Sequence, residues 1–473
     1  MLSQWLNEAP LASEDEAPAL KGDIRADVCI VGGGYCGLWT ALTLKQREPS
    51  LDIVIVEKNR CGDGASGRNG GFVLSWWRSF GALATFCSTD EAIRLAEASA
   101  HCVDEMANFC AAHDIDCEFR RDGWLWAATN RAQDGAWRSV IEALARHQRH
   151  PFEEWSPDQV AARSGSDKHI SGVFEPTGAT VQPAHLARGL RRAALAQGIR
   201  IFENTPMRRL KRTRPPRVVA PGGTVRADKV VIAMNAWATA LPELSRSVLV
   251  ISSDVVATET FPERLKASGW ADGMAISDSR SLVNYYRTTP DGRVVFGAGG
   301  GFLSYANRVG RKFDSATPRA AEVAGYFHKV YPAFADVGIA SHWTGPIDRS
   351  LSGLPFFGRL GGRADILYGL GFSGNGVGPT MLGGKVLASL ALEARDEWSE
   401  CGLVRHSVGQ FPREPMRYIG GTLVMGAKRR IETLDDQGRK PGLITRAIAN
   451  LAPAGLVPVK GYNADQPSGG ANG

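Results

Sequence analysis

The sequence predicts an α/β fold, α+β overall, in which a domain with a parallel sheet is interleaved with a domain built on an antiparallel sheet. Three observations lead to this prediction. A strand, a glycine-rich turn, a helix and a second strand fill residues 27–57, and a strand, a glycine loop and a helix return at 366–390. Between them, residues 246–305 show the pattern of strands and hairpins, with a Pro-Asp-Gly turn at 290–292. The two strand–glycine loop–helix segments thus lie on both sides of the strand and hairpin segment. This arrangement predicts interleaved rather than successive domains.

The remaining elements follow from the spacing of apolar residues. Recurring apolar positions predict a helix at about 91–114, and a strand-like run follows at 123–129. A helix at 184–198 precedes a strand at 199–204, and a buried strand at 229–239 ends in a turn.

A C-terminal helical extension is expected over residues 401–473. It contains a basic helical stretch at 426–436 and an apolar stretch at 443–457. Two interpretations stay open for this region: an amphipathic helix that lies on a membrane, or a helix packed on its own domain. We expect residues 465–473 to be disordered.

The composition is that of a globular protein large enough for two domains. The 473 residues are 44% hydrophobic, and the net charge of +6 comes from 55 basic and 49 acidic residues spread along the chain. This mixture predicts no nucleic-acid partner. The first twenty residues lack a signal-peptide core, and no later run fits an integral membrane segment, so we expect a cytoplasmic protein.

The cysteines and histidines predict neither disulfides nor a metal site. Eight cysteines stand singly, without a CxxC pair, and reduced thiols are expected. His147 and His150 can share one helix face, but no third ligand accompanies them at a matching spacing.

The first glycine turn predicts a dinucleotide site. Gly32, Gly34 and Gly37 fit the pattern GxGxxG between a strand and a helix, where they permit a tight turn, close approach of a pyrophosphate and close packing of the helix. Glu57 ends the next strand, twenty residues later, where an acid binds ribose hydroxyls. An acid at this position argues against an NADP 2′-phosphate.

A second glycine-rich loop, "CGDGASGRNGGFV" at 61–73, favours a flavin over a nicotinamide. Its small residues let the backbone approach an isoalloxazine ring, and Arg68 and Asn69 can offer hydrogen-bond donors. The alternative is an ordinary surface loop.

The order of motifs resembles that of the FAD-dependent D-amino-acid oxidase superfamily. "ADVCIVGGGYCGLWTA" at 26–41 and "GASGRNGG" at 64–71 are followed by "WTGPIDRSLSGLPFFG" at 343–358 and "GLGFSGNGVGPTMLGGKVLA" at 369–388. Within the superfamily, the chain is similar to the branch of γ-glutamylputrescine oxidoreductase-like and glycine/sarcosine oxidase-like enzymes. The resemblance spans about residues 20–425.

The resemblance implies how the chain divides. Residues 26–90, 165–245 and 340–400 would form a Rossmann-like FAD-binding domain. Residues 91–164 and 246–339 would form the substrate domain.

The resemblance also implies a set of cofactor-binding residues. Met207 would lie against the adenine, Asn235 near the pyrophosphate, and the loop before the last motif helix beneath the pyrimidine end of the flavin, where a helix N-terminus stabilises negative charge. The full set is Gly32, Gly34, Tyr35, Cys36, Gly37, Glu57, Lys58, Gly64, Ala65, Ser66, Arg68, Asn69, Gly70, Gly71, Phe72, Met207, Asn235, Trp237, Gly371, Phe372, Ser373, Gly374, Asn375, Gly376 and Val377.

Two departures from the family pattern carry information. Family members with covalent flavin use a cysteine before the last glycine loop or a histidine after the second, whereas this chain has no cysteine between Cys117 and Cys401 and no histidine before His101. FAD is therefore expected to be non-covalent. Sarcosine-type members hold a substrate carboxylate at positions that correspond approximately to Gly71 and Gly378, so a small α-amino acid is a less fitting substrate than an amine whose anionic group is absent or further away.

The reaction implied is oxidation of an amine C–N bond, with hydride transfer to flavin N5 and hydrolysis of the resulting imine. O2 or another electron acceptor would complete the cycle. No catalytic residue is assigned. Candidates for the substrate face are Tyr285, Tyr286, Arg287, Trp343 and Trp76, and alternation allows only one of the two tyrosines to face the cavity.

Three alternatives stay open at this point. The enzyme could be a dehydrogenase that passes electrons to a quinone or an electron-transfer protein, or an N-methyl or amino-acid oxidase of the sarcosine/glycine type. The third is a binding module with a structural flavin. The sequence leaves the substrate amine and the oligomeric state open.

Overall fold

A computed structural model describes residues 3–10, 17–406 and 408–452. The predicted disorder at 465–473 and the end of the apolar stretch at 443–457 lie outside these residues.

The described residues contain both helices and strands throughout. The helices are α1 (Gln4–Glu8), α2 (Tyr35–Arg47), α3 (Phe80–Leu83), α4 (Thr89–Ala112), α5 (Arg138–Ala145), α6 (Pro157–Ser164), α7 (Pro183–Ala196), α8 (Pro262–Ser268), α9 (Ala320–Val330), α10 (Pro379–Ala391), α11 (Gly402–Arg405), α12 (Met416–Asp436) and α13 (Leu443–Asn450). The strands are β1 (Ile24–Val31), β2 (Ile53–Val56), β3 (Phe72–Val73), β4 (Trp124–Ala128), β5 (Glu153–Trp155), β6 (Ser171–Glu175), β7 (Ala179–Thr180), β8 (Arg200–Phe202), β9 (Arg209–Lys211), β10 (Arg217–Ala220), β11 (Gly223–Ile232), β12 (Leu249–Thr258), β13 (Ala275–Asp278), β14 (Asn284–Thr288), β15 (Val294–Ala298), β16 (Ile339–Arg349), β17 (Phe356–Arg359) and β18 (Ile366–Leu370).

The first sheet has the order β17-β18-β11-β1-β2-β8, and β9 and β10 extend it beside β11. Its strands from β18 to β8 run parallel, whereas β17 is antiparallel to β18. Buried apolar residues of β1 and β2 face α2, α7 and α10 on one side, in the largest core cluster. The carboxyl ends of the parallel strands consequently open on one edge of the sheet, where doubly wound folds bind ligands.

The second sheet has the order β16-β12-β15-β14-β13-β4-β6-β5. Its pairs are antiparallel except β13 and β4, which are parallel. This mixture of parallel and antiparallel sheets confirms the predicted fold class.

Two strands of the second sheet come from segments that the resemblance assigns to the FAD-binding domain. They are β6 (171–175) and β16 (339–349), of which residues 340–349 lie in such a segment. A strand pattern fixes neither its partner nor the point where the chain crosses between sheets. The division into two domains stays a prediction.

The C-terminal helices return to the second sheet. The Glu432 carboxylate on α12 accepts the backbone N–H of Leu282 at 2.8 Å, and Arg429 donates to the Gly300 carbonyl at 2.5 Å. Helix α12 is thus packed on the chain itself, whereas Leu443 and Ile444 of α13 are 77% and 78% exposed. Among the described helices, none is long and apolar enough to cross a membrane.

Candidate active site

A cavity of about 1320 Å³ lies between the two sheets. It extends from the glycine turn after β1, past the loop before α10, to β14 and to α12. Small-molecule sites usually have about 300–1,000 Å³. This cavity is therefore large enough for an extended cofactor together with a substrate.

The glycine turn at the start of α2 is a cradle that side chains would fill. Gly32 has φ +113°, and a Cβ there would lie 2.4 Å from the Ala233 carbonyl oxygen. A Cβ on Gly37 would lie 2.0 Å from the Gly32 oxygen, so Gly37 sets the contact between α2 and its strand. Gly34 leaves the first turn of the helix open to the cavity, where backbone N–H groups favour an anion.

Glu57 is held in place by the same turn. Its carboxylate accepts the backbone N–H of Gly33 at 2.8 Å and that of Asn59 at 2.9 Å. Burial raises the pKa of Glu57, and these two hydrogen bonds oppose the rise. The carboxylate is oriented at the cavity wall and keeps lone pairs for hydroxyl groups of a ligand.

The adenine end predicted beside Glu57 is aromatic and basic. The Lys58 ammonium lies 5.6 Å from the centre of the Trp237 ring, a cation–π contact, and both residues line the cavity with Met207 and Asn235.

The second glycine loop uses its own donors internally. Arg68 donates to the carbonyls of Asp63 and Phe313 and pairs with Asp314 at 2.9 Å, and the Asn69 amide donates to the Ser66 carbonyl at 2.7 Å. These side chains therefore stiffen the loop, and their nitrogens are already bound to protein atoms. The loop presents mainly backbone and small side chains to the cavity, as the sequence predicts.

The loop before α10 also lines the cavity. The Asp348 carboxylate accepts the Gly371 backbone N–H at 2.5 Å, while its second oxygen is buried without a hydrogen-bond partner. Burial raises the pKa of Asp348 to about 7. Asp348 is among the lining residues, but this oxygen is shielded from the cavity, so the carboxylate acts on the loop before α10 through its bond to Gly371.

The structure places most predicted cofactor residues around this one cavity. Three of them do not line it: Gly37, Gly71 and Gly371. Their roles are in the backbone, because Gly71 and Gly371 have φ values of +77° and +86° and Gly37 packs under the turn. The lining residues are Gly32, Gly34, Tyr35, Cys36, Glu57, Lys58, Gly64, Ala65, Ser66, Arg68, Asn69, Gly70, Phe72, Met207, Asn235, Trp237, Phe372, Ser373, Gly374, Asn375, Gly376 and Val377.

Only one of the two neighbouring tyrosines reaches the cavity. The Tyr285 ring covers Gly70, where an added Cβ would lie 2.7 Å from it, and its hydroxyl is 2.8 Å from that of Ser253. Tyr286 points to the opposite face of the sheet, stacks on Phe296 and bonds to His169 at 2.5 Å. Tyr286 was therefore wrong as a substrate candidate, and the alternation along β14 explains why.

Arg287 lies beneath the second loop rather than on the substrate face. It donates to the carbonyls of Gly70 at 3.0 Å and Val181 at 2.7 Å, and it is fully buried. Burial lowers its pKa to about 9. The candidate was wrong because the loop separates this guanidinium from the cavity.

Trp343 and Trp76 were also wrong as cavity walls. The Trp343 indole donates to the Arg68 carbonyl at 2.9 Å and packs edge-on against Trp5, so it anchors the second loop from behind. Trp76 is 1% exposed within the largest core. Aromatic residues next to a site motif are here parts of the core that supports it.

Several polar or aromatic residues that line the cavity were not among the predicted site residues, and Arg78, Trp124, Arg349 and Asp348 are four of them. Asp348 and Arg349 are the last two residues of β16 and lie in the stretch 343–358, which resembles the family. Trp124 lies in the strand predicted at 123–129. Arg78 lies two residues after Trp76, which was the predicted candidate. The second half of helix α12 was predicted as a helical stretch at 426–436, but its contribution to the cavity was not, and Arg417, Gly421 and Val424 on it line the cavity.

These residues fit FAD. The glycine cradle at α2 and the carboxylate of Glu57 line one cavity, which continues past the loop before α10. The cradle suits a pyrophosphate, and the Glu57 carboxylate suits the ribose hydroxyls next to it.

Comparisons with known proteins agree. The family described as DAO, FAD dependent oxidoreductase, matches residues 27–390. Gamma-glutamylputrescine oxidoreductase of Escherichia coli (strain K12) is 31% identical over 374 residues, which cover 78% of this chain and 84% of that protein. Glycine oxidase of Geobacillus kaustophilus is 25% identical over 402 residues, covering 81% and 97%.

Solved structures share the fold. The crystal structure of glycine oxidase from Geobacillus kaustophilus superposes with a TM-score of 0.66 at 21% identity, covering 81% of this chain and 99% of that one. L-proline dehydrogenase from P. horikoshii gives 0.64 at 18% identity, covering 80% and 96%. Family match, sequence relatives and cradle geometry together show that the chain belongs to the DAO family of FAD-dependent oxidoreductases.

Proposed function

We propose that the protein oxidises the C–N bond of a small amine with non-covalently held FAD and uses O2 as the electron acceptor. The observation that carries the proposal is the continuity of the cavity. The same space that holds the glycine cradle continues past the loop before α10 to a wall formed by Tyr285, Trp124 and α12. A substrate there would face the reactive end of a cofactor seated in the cradle.

The residues of the chain bind and orient rather than react. When bound, FAD would supply the chemistry by accepting a hydride from the carbon next to the amine nitrogen. The Tyr285 ring and the Trp124 indole, which donates to the Ser277 hydroxyl at 2.9 Å, would position the substrate carbon and exclude water. The N-terminus of α10 favours negative charge at the loop formed by residues 371–378. We assign no residue to proton transfer.

The lining residues support non-covalent binding. Among those described, none is a histidine, and Cys36 is the one cysteine. Burial raises the pKa of Cys36 to about 12, so the thiol stays protonated near neutral pH and is a poor nucleophile.

The proposal is tested by anaerobic titration of the yellow holoprotein with a panel of amines. We expect at least one amine to bleach the flavin absorbance, and air to restore the colour with one peroxide per amine oxidised. Acid precipitation should release FAD into the supernatant. Flavin retained in the pellet would contradict non-covalent binding, and bleaching that only a quinone or a protein acceptor reverses would indicate a dehydrogenase. A panel that leaves the flavin oxidised throughout would contradict the proposal as a whole.

A further inference from the structure

Two arginines line the cavity and have no acidic partner within residues 3–10, 17–406 and 408–452. They are Arg78, in the short helical turn Trp77–Ser79, and Arg349, the last residue of β16. The inference drawn from them rests on the proposed function, because it concerns the substrate of the same site.

Arg78 is held by aromatic rings instead of a carboxylate. Its guanidinium carbon lies 4.4 Å from the centre of the Trp126 ring and 5.8 Å from that of Trp124. Among the described residues, no ion pair neutralises it. Burial lowers its pKa to about 10, and the charge of Asp278 opposes that shift only in part. Stacking fixes the plane of the guanidinium and leaves its N–H groups available toward the cavity.

The positive charge of Arg349 likewise has no carboxylate partner among the described residues. Its Nη1 donates weakly to the Ser373 carbonyl, at 3.4 Å, and its Nε is buried without a hydrogen-bond partner. Burial and, next, the positive charge of Arg78 lower its pKa to about 10. Two cations that repel each other within one cavity weaken the fold unless an anion lies with them.

Both arginines approach the same loop. Arg349 contacts Ser373, and the Asn375 amide reaches the carbonyl of Ser75, three residues before Arg78, at 3.4 Å. Both arginines therefore line the part of the cavity that adjoins the loop before α10.

Other cavity arginines show what is unusual here. Arg280 pairs with Asp278 at 3.1 Å and with Asp436 at 2.6 Å, Arg417 pairs with Glu414 at 2.9 Å, and Arg68 pairs with Asp314. The chain neutralises these charges with its own carboxylates. A guanidinium kept unpaired at a cavity wall is available for an anion from outside.

We propose that Arg78 and Arg349 form a subsite for an oxyanion carried by the amine substrate, so that the preferred substrate is an amine with a carboxylate or phosphonate at its far end. Guanidinium groups bind either anion through paired N–H donors. The apolar stretch of the substrate would lie between this subsite and the reacting amine.

The test compares matched substrates on the holoprotein. The ω-amino carboxylates with two to five methylenes and the corresponding aminoalkylphosphonates are compared with n-alkylamines of equal length, by anaerobic flavin reduction. Binding is measured separately with n-alkanoates, which lack the amine and cannot be oxidised, through the perturbation of flavin absorbance.

The variants are Arg78→Met, Arg349→Met and the charge-retaining Arg78→Lys and Arg349→Lys. Removal of one partner of a buried charge pair costs about 2 kcal/mol or more, so each Met variant should lose about 30-fold or more in kcat/KM for the anionic amine. The n-alkylamine should change by less than about threefold, and the Lys variants should recover part of the loss. Arg192→Met, exposed on α7 and outside the cavity, is the control for net charge.

The outcomes separate this inference from the proposed function. Carboxylate or phosphonate preference that falls in both Met variants supports the subsite and tells which oxyanion it takes. An n-alkylamine oxidised as well as its anionic partner overturns the subsite while the function stands. Alkanoate binding that Arg349→Met abolishes, in a protein that no amine reduces, supports the subsite and contradicts the function. A lowered flavin potential with unchanged substrate preference overturns the inference, because the arginines would then act on the cofactor.

Discussion

Replacing Trp343 with phenylalanine separates the role that the sequence suggested from the role that the structure shows. As a substrate wall, Trp343 would affect KM. As the residue that anchors the second glycine loop through its bond to the Arg68 carbonyl, it should affect stability and FAD retention instead. The substitution keeps an aromatic ring against Trp5 but removes the indole N–H and part of the packed volume.

The expected size follows from the geometry. Leaving the Arg68 carbonyl without its buried donor costs about 1–3 kcal/mol. Loss of the second ring adds about 1 kcal/mol, as volume changes in well-packed cores do. At about 2.1 cal/mol/K of unfolding entropy per residue, a 473-residue chain has an unfolding entropy of about 1 kcal/mol/K. A loss of about 2–4 kcal/mol then lowers the apparent Tm by about 2–4 °C.

The assay is thermal unfolding of apoprotein and holoprotein, combined with FAD titration followed by the quenching of flavin fluorescence. FAD should bind more weakly in Trp343→Phe, and KM for the amine should stay within about twofold. Trp270→Phe is the matched control, because the Trp270 indole is equally buried in the other core but its N–H has no partner to lose. It should destabilise less and leave FAD affinity unchanged. Unaltered Tm and FAD affinity together with a raised KM would refute the anchoring role.

Three further predictions concern individual positions. Gly37→Ala places a Cβ 2.0 Å from the Gly32 oxygen and must displace α2, so the purified protein should contain little FAD, as its ratio of 450 to 280 nm absorbance would show. Tyr285→Phe should alter kcat/KM with little change in Tm, whereas Tyr286→Phe, which loses the bond to His169, should lower Tm and spare turnover; the reverse pattern would contradict the assignment of faces. Because burial raises the pKa of Asp348 from 3.8 to about 7, the folded apoprotein keeps this proton while the unfolded chain releases it, and stability falls as pH rises from about 4 to 7. The free energy of unfolding should fall by at most about 4 kcal/mol over this range. Asp348→Asn should remove this pH dependence. If Tm depends on pH equally in both apoproteins, Asp348 does not titrate in this way.

Most of the predicted cofactor residues line one cavity, and these residues come from local motifs. Glycine turns, the strands before them and Glu57 lie within short stretches, and their spacing reports the backbone shape directly. Strand types were predicted too, but partners were not: β6 and β16 joined the second sheet because hydrophobic alternation carries no information on which strand lies alongside.

The substrate half was predicted poorly because it is assembled from distant segments. The role proposed for Arg78 depends on its contacts with Trp124 and Trp126, which come almost fifty residues later. The role proposed for Arg349 depends on its place beside Ser373. Trp343 and Trp76 were predicted to be cavity walls because they lie near motifs. Trp343 instead donates to the Arg68 carbonyl of the second glycine loop, and Trp76 lies in the largest core. Whether a large aromatic residue faces a cavity or a core depends on contacts that no short window contains.

The position of α12 has a consequence for how such enzymes can diversify. The family match ends at residue 390, whereas α12 begins at Met416 and still forms part of the cavity wall opposite the cofactor. Under the proposed function, the residues that bind the cofactor and part of the wall that faces the substrate are thus encoded in separate stretches of the gene. Changes in the C-terminal stretch can alter the cavity wall that α12 forms without changing the glycine cradle at α2. Because α12 is translated after residues 27–390, this wall is also completed last during synthesis.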